Sequence, residues 1–152
     1  PADSIPGVAL LEIYDTATSD TRSWLVNLSA FNRFDSNNHR LIAGFTISGT
    51  SPKKVLLRGV GPSLPDSAAP PLSTPKITLF SAPDNLFIAT NDNWNNDSAI
   101  REANASSTGL PFFEGSRDAA LLLTLPPGGY TLHLNSATSA TGAALAEIYE
   151  VK

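Results

Sequence analysis

The chain has 152 residues, 41% of them hydrophobic and 16% charged, with a net charge of −4. That length gives one domain with room for a real core, and a surface built from Ser, Thr, Asn and Ala in place of charge suits an extracellular β-protein better than a cytosolic helical enzyme. There is no basic patch to follow a phosphate backbone, no apolar run long enough to span a bilayer, and no cysteine for disulfides or thiolate metal sites, so nucleic acid and membrane insertion are excluded as partners.

The chain opens on Pro1 and contains no methionine. An upstream segment is therefore expected to have been removed: a signal peptide, a pro-segment or a preceding repeat. Residues 1–20 read as an N-terminal strand arm and residues 21–152 as the domain proper. Twelve Pro and ten Gly punctuate short apolar runs, the pattern of an all-β sandwich. The spacing predicts strands over Val8–Tyr14, Ser23–Leu28, Leu41–Ile47, Lys54–Gly59, Lys76–Phe80, Leu86–Thr90, Ala119–Leu125, Tyr130–Asn135 and Ala143–Tyr149. Turns are signalled by Asp35-Ser-Asn-Asn38, Thr50-Ser-Pro-Lys53, Ala82-Pro-Asp-Asn85 and Pro126-Pro-Gly-Gly129. Gly61–Thr74 reads as an irregular crossover. Asp97–Ala105 reads as one short helix, capped by Asp97 or Ser98, lying on the sandwich because its apolar face is small. Leu132 and Leu134 alternate with Thr131, His133 and Asn135, which marks a half-buried antiparallel strand. Ala119–Leu125 is apolar on both sides for several residues and is expected to be a central strand, covered on both faces. The fold class expected is a jelly-roll-like antiparallel β-sandwich of about nine strands with one surface helix.

The most specific feature is a repeat. Gly7-Val-Ala-Leu-Leu-Glu-Ile-Tyr-Asp15 returns as Gly142-Ala-Ala-Leu-Ala-Glu-Ile-Tyr-Glu150, with six of nine positions identical and an offset of 135 residues (142 minus 7). A repeat of that period with only its edge duplicated looks like one unit of an array plus one strand of its neighbour. Val8, Leu10, Leu11, Glu12, Ile13 and Tyr14 are thus candidates for an assembly strand that pairs with another subunit. Glu12 shares a strand face with Leu10 and Tyr14, and Glu147 with Leu145 and Tyr149. A carboxylate among apolar neighbours needs a partner. Arg58, in the equally apolar Lys54-Val-Leu-Leu-Arg58, is the cation available, and Glu147 its expected partner in a buried ion pair. The competing reading leaves both glutamates facing solvent at a sheet edge.

Other constellations are weaker. In Asn91-Asp-Asn-Trp-Asn-Asn-Asp97, the oxygens of Asp92, Asn95 and Asp97 could coordinate Ca²⁺, but the loop lacks EF-hand spacing, and Asn and Asp are ordinary turn formers. No cofactor is otherwise expected. Trp24, Trp94 and Tyr130 could stack on a sugar ring; Trp94, in the polar loop, is the better candidate for a ligand contact, whereas a Trp in a strand belongs more often to the core. The two histidines, His39 and His133, stand apart, and no nucleophile elbow, metal-ligand His pair or phosphate loop occurs. The acidic residues are too scattered to suggest a glycosidase pair. The chain reads as no enzyme. Asn27, Asn96 and Asn104 head N-glycosylation sequons.

Leu25-Val-Asn-Leu-Ser29, Leu41-Ile-Ala-Gly-Phe45, Val55-Leu-Leu-Arg-Gly-Val-Gly-Pro62, Ile77-Thr-Leu-Phe80, Ala89-Thr-Asn-Asp-Asn-Trp94, Gly115-Ser-Arg-Asp-Ala-Ala-Leu121 and Leu125-Pro-Pro-Gly-Gly-Tyr-Thr131 together resemble a domain of large secreted bacterial proteins, often found in tandem and closed by a strand like Gly142–Glu150. The Thr78–Tyr130 half is also similar to the bacterial pre-peptidase C-terminal domain, a small jelly-roll-like sandwich on secreted enzymes. The resemblance implies a β-sandwich, an extracellular or cell-surface location and a structural or adhesive role. The sequence departs from that pattern by placing a copy of the closing strand ahead of the domain as well. The function expected is therefore a filament or surface-array subunit that joins head to tail with itself by strand addition. The alternative is a monomeric accessory module that binds carbohydrate, such as surface glycans, or a cell surface.

Overall fold

The computed structural model describes residues 26–35, 39–65 and 70–151. The assembly strand Val8–Tyr14 and Trp24 lie outside these residues. Among the described residues eight strands and one helix follow in chain order: β1 Asn27–Phe34, β2 Arg40–Ile47, β3 Lys53–Val60, β4 Pro75–Ala82, β5 Phe87–Asn91, α1 Ser98–Ala105, β6 Ala119–Leu125, β7 Gly128–Ser136 and β8 Gly142–Glu150. They form two four-stranded antiparallel sheets, ordered β1-β8-β3-β6 and β2-β7-β4-β5. The pairs β1–β8, β2–β7, β3–β6 and β4–β5 are all neighbours, as in a long ribbon folded back and rolled up, which makes the sandwich a jelly roll. The predicted strand Ser23–Leu28 meets the described residues only at its end. β1 instead runs on to Phe34, because Leu28 and Phe34 face inward while the residues between alternate with solvent.

Period-two alternation builds the main core. Leu79, Leu132, Leu134, Ile77, Tyr130, Ala43 and Ile47 from one sheet meet Val55, Leu57, Phe34, Ala144, Ala146 and Ile148 from the other. Strand β3 is buried along almost its whole length, because the opposite face of its sheet is covered too. There, Leu56, Ala120 and Tyr149 pack against Ile100 and Ala103 of α1 and against Trp94, forming a second core. The first sheet is thus the middle of three layers. Burial of this kind contributes about 25 cal/mol per Å² of apolar surface.

Two local expectations meet the structure closely. Helix α1 begins after Asp97, whose Oδ1 accepts from Ala99 N at 2.8 Å and Ile100 N at 3.1 Å. It lies on the sandwich and buries only Ile100, Ala103 and Asn104. The described residues of the crossover after β3 stay irregular and touch β8 through the bridge from Pro71 to Ala143. One expectation is met in part. Strand β6 is covered on both faces, but among the described residues it pairs with β3 alone and ends its sheet. Its two apolar faces reflect the two cores flanking that edge rather than strands on both sides.

Candidate assembly site

Strand β8, the second copy of the repeat, lies between β1 and β3 and is antiparallel to both. Ala144, Ala146 and Ile148 point into the main core, which leaves Leu145, Glu147 and Tyr149 on the face toward α1. Glu147 stands directly opposite Arg58 on one side and Ser29 on the other. Arg58 is fully buried and Glu147 is 4% exposed. Arg58 Nη1 lies 3.2 Å from Glu147 Oε2, so the structure brings together the two residues that the sequence suggested as partners.

Hydrogen bonds satisfy only part of this pair: Arg58 Nε and Nη1 and Glu147 Oε2 are buried and make none. Tyr149 Oη donates to Glu147 Oε1 at 2.6 Å, and Ser29 Oγ does so at 3.3 Å. Arg58 Nη2 donates to the Leu110 carbonyl. The guanidinium sits 4.4 Å over the Phe112 ring and 5.9 Å from that of Tyr149, a cation–π arrangement. Desolvation lowers the Arg58 pKa, opposed chiefly by the Glu147 carboxylate. Desolvation pushes the Tyr149 phenol up to about 12, with its hydrogen bond to Glu147 acting in the same direction. Backbone space is tight: a Cβ on Gly109 would fall 1.7 Å from Arg58 Nη1, so the segment 106–118 passes the guanidinium only as glycine. A Cβ on Gly142, the first residue of the repeat, would fall 2.7 Å from Leu72 N, where the crossover passes.

A carboxylate that sequence reasoning missed organises the neighbouring turn. Asp118 is fully buried. It accepts from Gly61 N at 2.7 Å, Ser63 N at 3.3 Å and Ser116 Oγ at 2.6 Å, and also from Ser63 Oγ. It ties the turn after β3 to the start of β6. Its only signal in the sequence is its place between two serines and an apolar strand, in Ser116-Arg-Asp-Ala-Ala120.

The remaining candidates are placed otherwise than expected. Trp94 is 3% exposed, not a surface aromatic: its Nε1 donates to Ser116 Oγ at 3.1 Å and its ring packs against Phe112. The polar loop around it covers the indole because its backbone turns back, with Asn95 and Asn96 at positive φ. Tyr130 is buried as well and donates to the Pro126 carbonyl at 2.7 Å. Of the oxygens considered for Ca²⁺, that of Asp97 caps α1. The loop is held as well by Asn93 Oδ1, which accepts from Asn95 N at 2.9 Å. Among the described residues no three His, Asp or Glu side chains group as metal ligands would. Asn104, head of a sequon, is buried. His133 packs on Phe80 with ring centres 4.8 Å apart, and desolvation lowers its pKa. A cavity of about 230 Å³ lies beside α1, lined by Trp94, Arg101, Asn104, Phe112 and Glu114 among others.

No family model and no curated protein matches this sequence. Among solved structures, the chain is similar to the pre-peptidase C-terminal domain of collagenase from Bacillus anthracis, with a TM-score of 0.51 and 10% identity over 81% of this chain and 89% of that one. At that identity the likeness speaks for the fold, an antiparallel β-sandwich.

Proposed function

We propose that the chain is a structural subunit of an extracellular bacterial filament or surface array, joined head to tail when residues 7–15 of one copy add to a sheet of the next. The observation that carries this reading is the setting of β8. The same nine-residue pattern occupies a two-faced interior position, with a buried glutamate held by Arg58. The leading copy keeps the glycine, the glutamate and the tyrosine. A strand of that composition, left in water, would expose Val8, Leu10, Leu11 and Ile13 together with its backbone donors and acceptors. A neighbour's sheet satisfies both needs: main-chain hydrogen bonds supply affinity and alternate side chains supply register. Because such a contact joins unlike surfaces, it propagates rather than closing into a dimer. Deleting Pro1–Asp15 should reduce the particles seen by light scattering and electron microscopy to single subunits. Particles of undiminished size would refute the proposal.

A second reading, a monomeric module that binds carbohydrate or a surface, draws on the cavity at Trp94. Its ring-lined wall, the Arg101–Glu114 pair at 2.9 Å and the unpartnered, buried Oδ1 of Asn104 are groups that a sugar could use. It forecasts glycan-array binding that survives removal of the arm and is lost in Arg101→Ala.

A further inference from the structure

We infer that the acceptor for the added strand is the edge of β6 that no described strand covers, and that its occupant is residues 7–15 of a second copy. This rests on the assembly reading above and specifies where the contact forms.

Among the described residues four strands end the two sheets: β1, β6, β2 and β5. Natural edges are defended by charge, proline, bulges or shortness. β1 and β2 carry Arg33 and Arg40, while β5 is five residues long beside a register shift at Leu79/Phe80. β6 reads Ala-Ala-Leu-Leu-Leu-Thr-Leu and has none of these defences. Leu121, Leu122 and Leu123 are only partly buried. Leu121 and Leu123 border the main core, and Leu122 borders the core under α1. An added strand here would meet apolar groups on both faces, and residues 7–15 carry apolar groups on both: Ala9, Leu11 and Ile13 on one, and Val8, Leu10 and Tyr14, with Glu12 among them, on the other.

The backbone is oriented to receive it. Ala120 N donates to Asn91 Oδ1 at 3.0 Å, away from β3. In an antiparallel ladder alternate residues point the same way, so Leu122 and Thr124 turn their N–H and C=O groups toward the open side. Asn91 covers the first of these positions, and the following ones continue the ladder outward.

The test uses the full-length protein and two variants, sized by multi-angle light scattering over a concentration series. Thr124→Pro removes one outward N–H without touching a bond to β3; Thr124→Lys places a charge at the same edge and carries the test if the proline variant does not fold. The wild type should grow in mass with concentration. The Thr124 variant and the variant lacking residues 1–15 should each stay at the mass of one subunit, 16.0 kDa for the intact chain. Mixed in equal amounts, the two should form a one-to-one dimer and nothing larger, since one retains the arm and the other the acceptor. A folded Thr124 variant that assembles like the wild type overturns the β6 assignment but leaves the arm reading standing, and β8's own position becomes the alternative slot. Assembly that persists without residues 1–15, or a wild type that remains monomeric throughout, overturns both.

Discussion

Glu147→Gln isolates the worth of the buried pair, because it removes the charge and keeps the shape. The amide can still accept from Tyr149 and Ser29, so those bonds to Oε1 remain available. What changes is Arg58: a fully buried guanidinium keeps the Leu110 carbonyl and the ring faces of Phe112 and Tyr149 but loses the carboxylate at 3.2 Å. Leaving one member of a buried ion pair uncompensated costs about 3–5 kcal/mol, a large part of the ~5–15 kcal/mol that holds a domain together. At ~2–4 °C per kcal/mol for a domain of this size, Tm should fall by about 6–20 °C. Urea unfolding followed by circular dichroism gives the same quantity independently through the midpoint at constant slope. The companion variant replaces both partners, Arg58→Met with Glu147→Leu. It removes both desolvation penalties and should recover most of the loss, since apolar replacements of buried pairs are often neutral or stabilising. A single variant within about 1 kcal/mol of wild type would refute the reasoning. So would a double variant less stable than the single one, which would mean that the hydroxyl contacts and not the ion pair carry the strand.

Tyr149 makes stability depend on alkaline pH. Its folded pKa of about 12 lies above the ordinary value of 10.0, so its contribution is complete below pH 10 and is lost as pH rises through 12. The difference in urea midpoint between wild type and Tyr149→Phe should be constant up to pH 10 and then shrink. Asp118→Ala orphans the buried Gly61 N–H and the hydroxyls of Ser63 and Ser116, at about 1–3 kcal/mol for each group left without water or partner; chemical denaturation should show a loss of at least about 3 kcal/mol. Asp97→Ala removes the cap of α1 and should cost about 1 kcal/mol, read as a small Tm shift with the sheets unchanged.

Much of this protein is written in local pattern. Alternating apolar residues place the strands from β2 onward within a few positions, and Asp97 followed by Ala, Ile and Arg marks the helix start, because period and capping depend on neighbours only a few residues away. Arg58 and Glu147 were legible as a pair for the same reason: each is a charge set in an apolar strand, and each needs an opposite. The tertiary structure decided what depends on distant chain. Composition alone makes β6 look central, but pairing order among the described residues leaves it at an edge between two cores. Trp94 sits in a sequence of amides yet is buried, because Phe112 and Ser116, some twenty residues on, fold over it. Asp118 looks like a surface acid until the turn at Gly61 arrives to bind it. Strand and helix identity follow from spacing along the chain; burial, edges and hydrogen-bond partners follow from which segments meet, and that is fixed only when the sheets close.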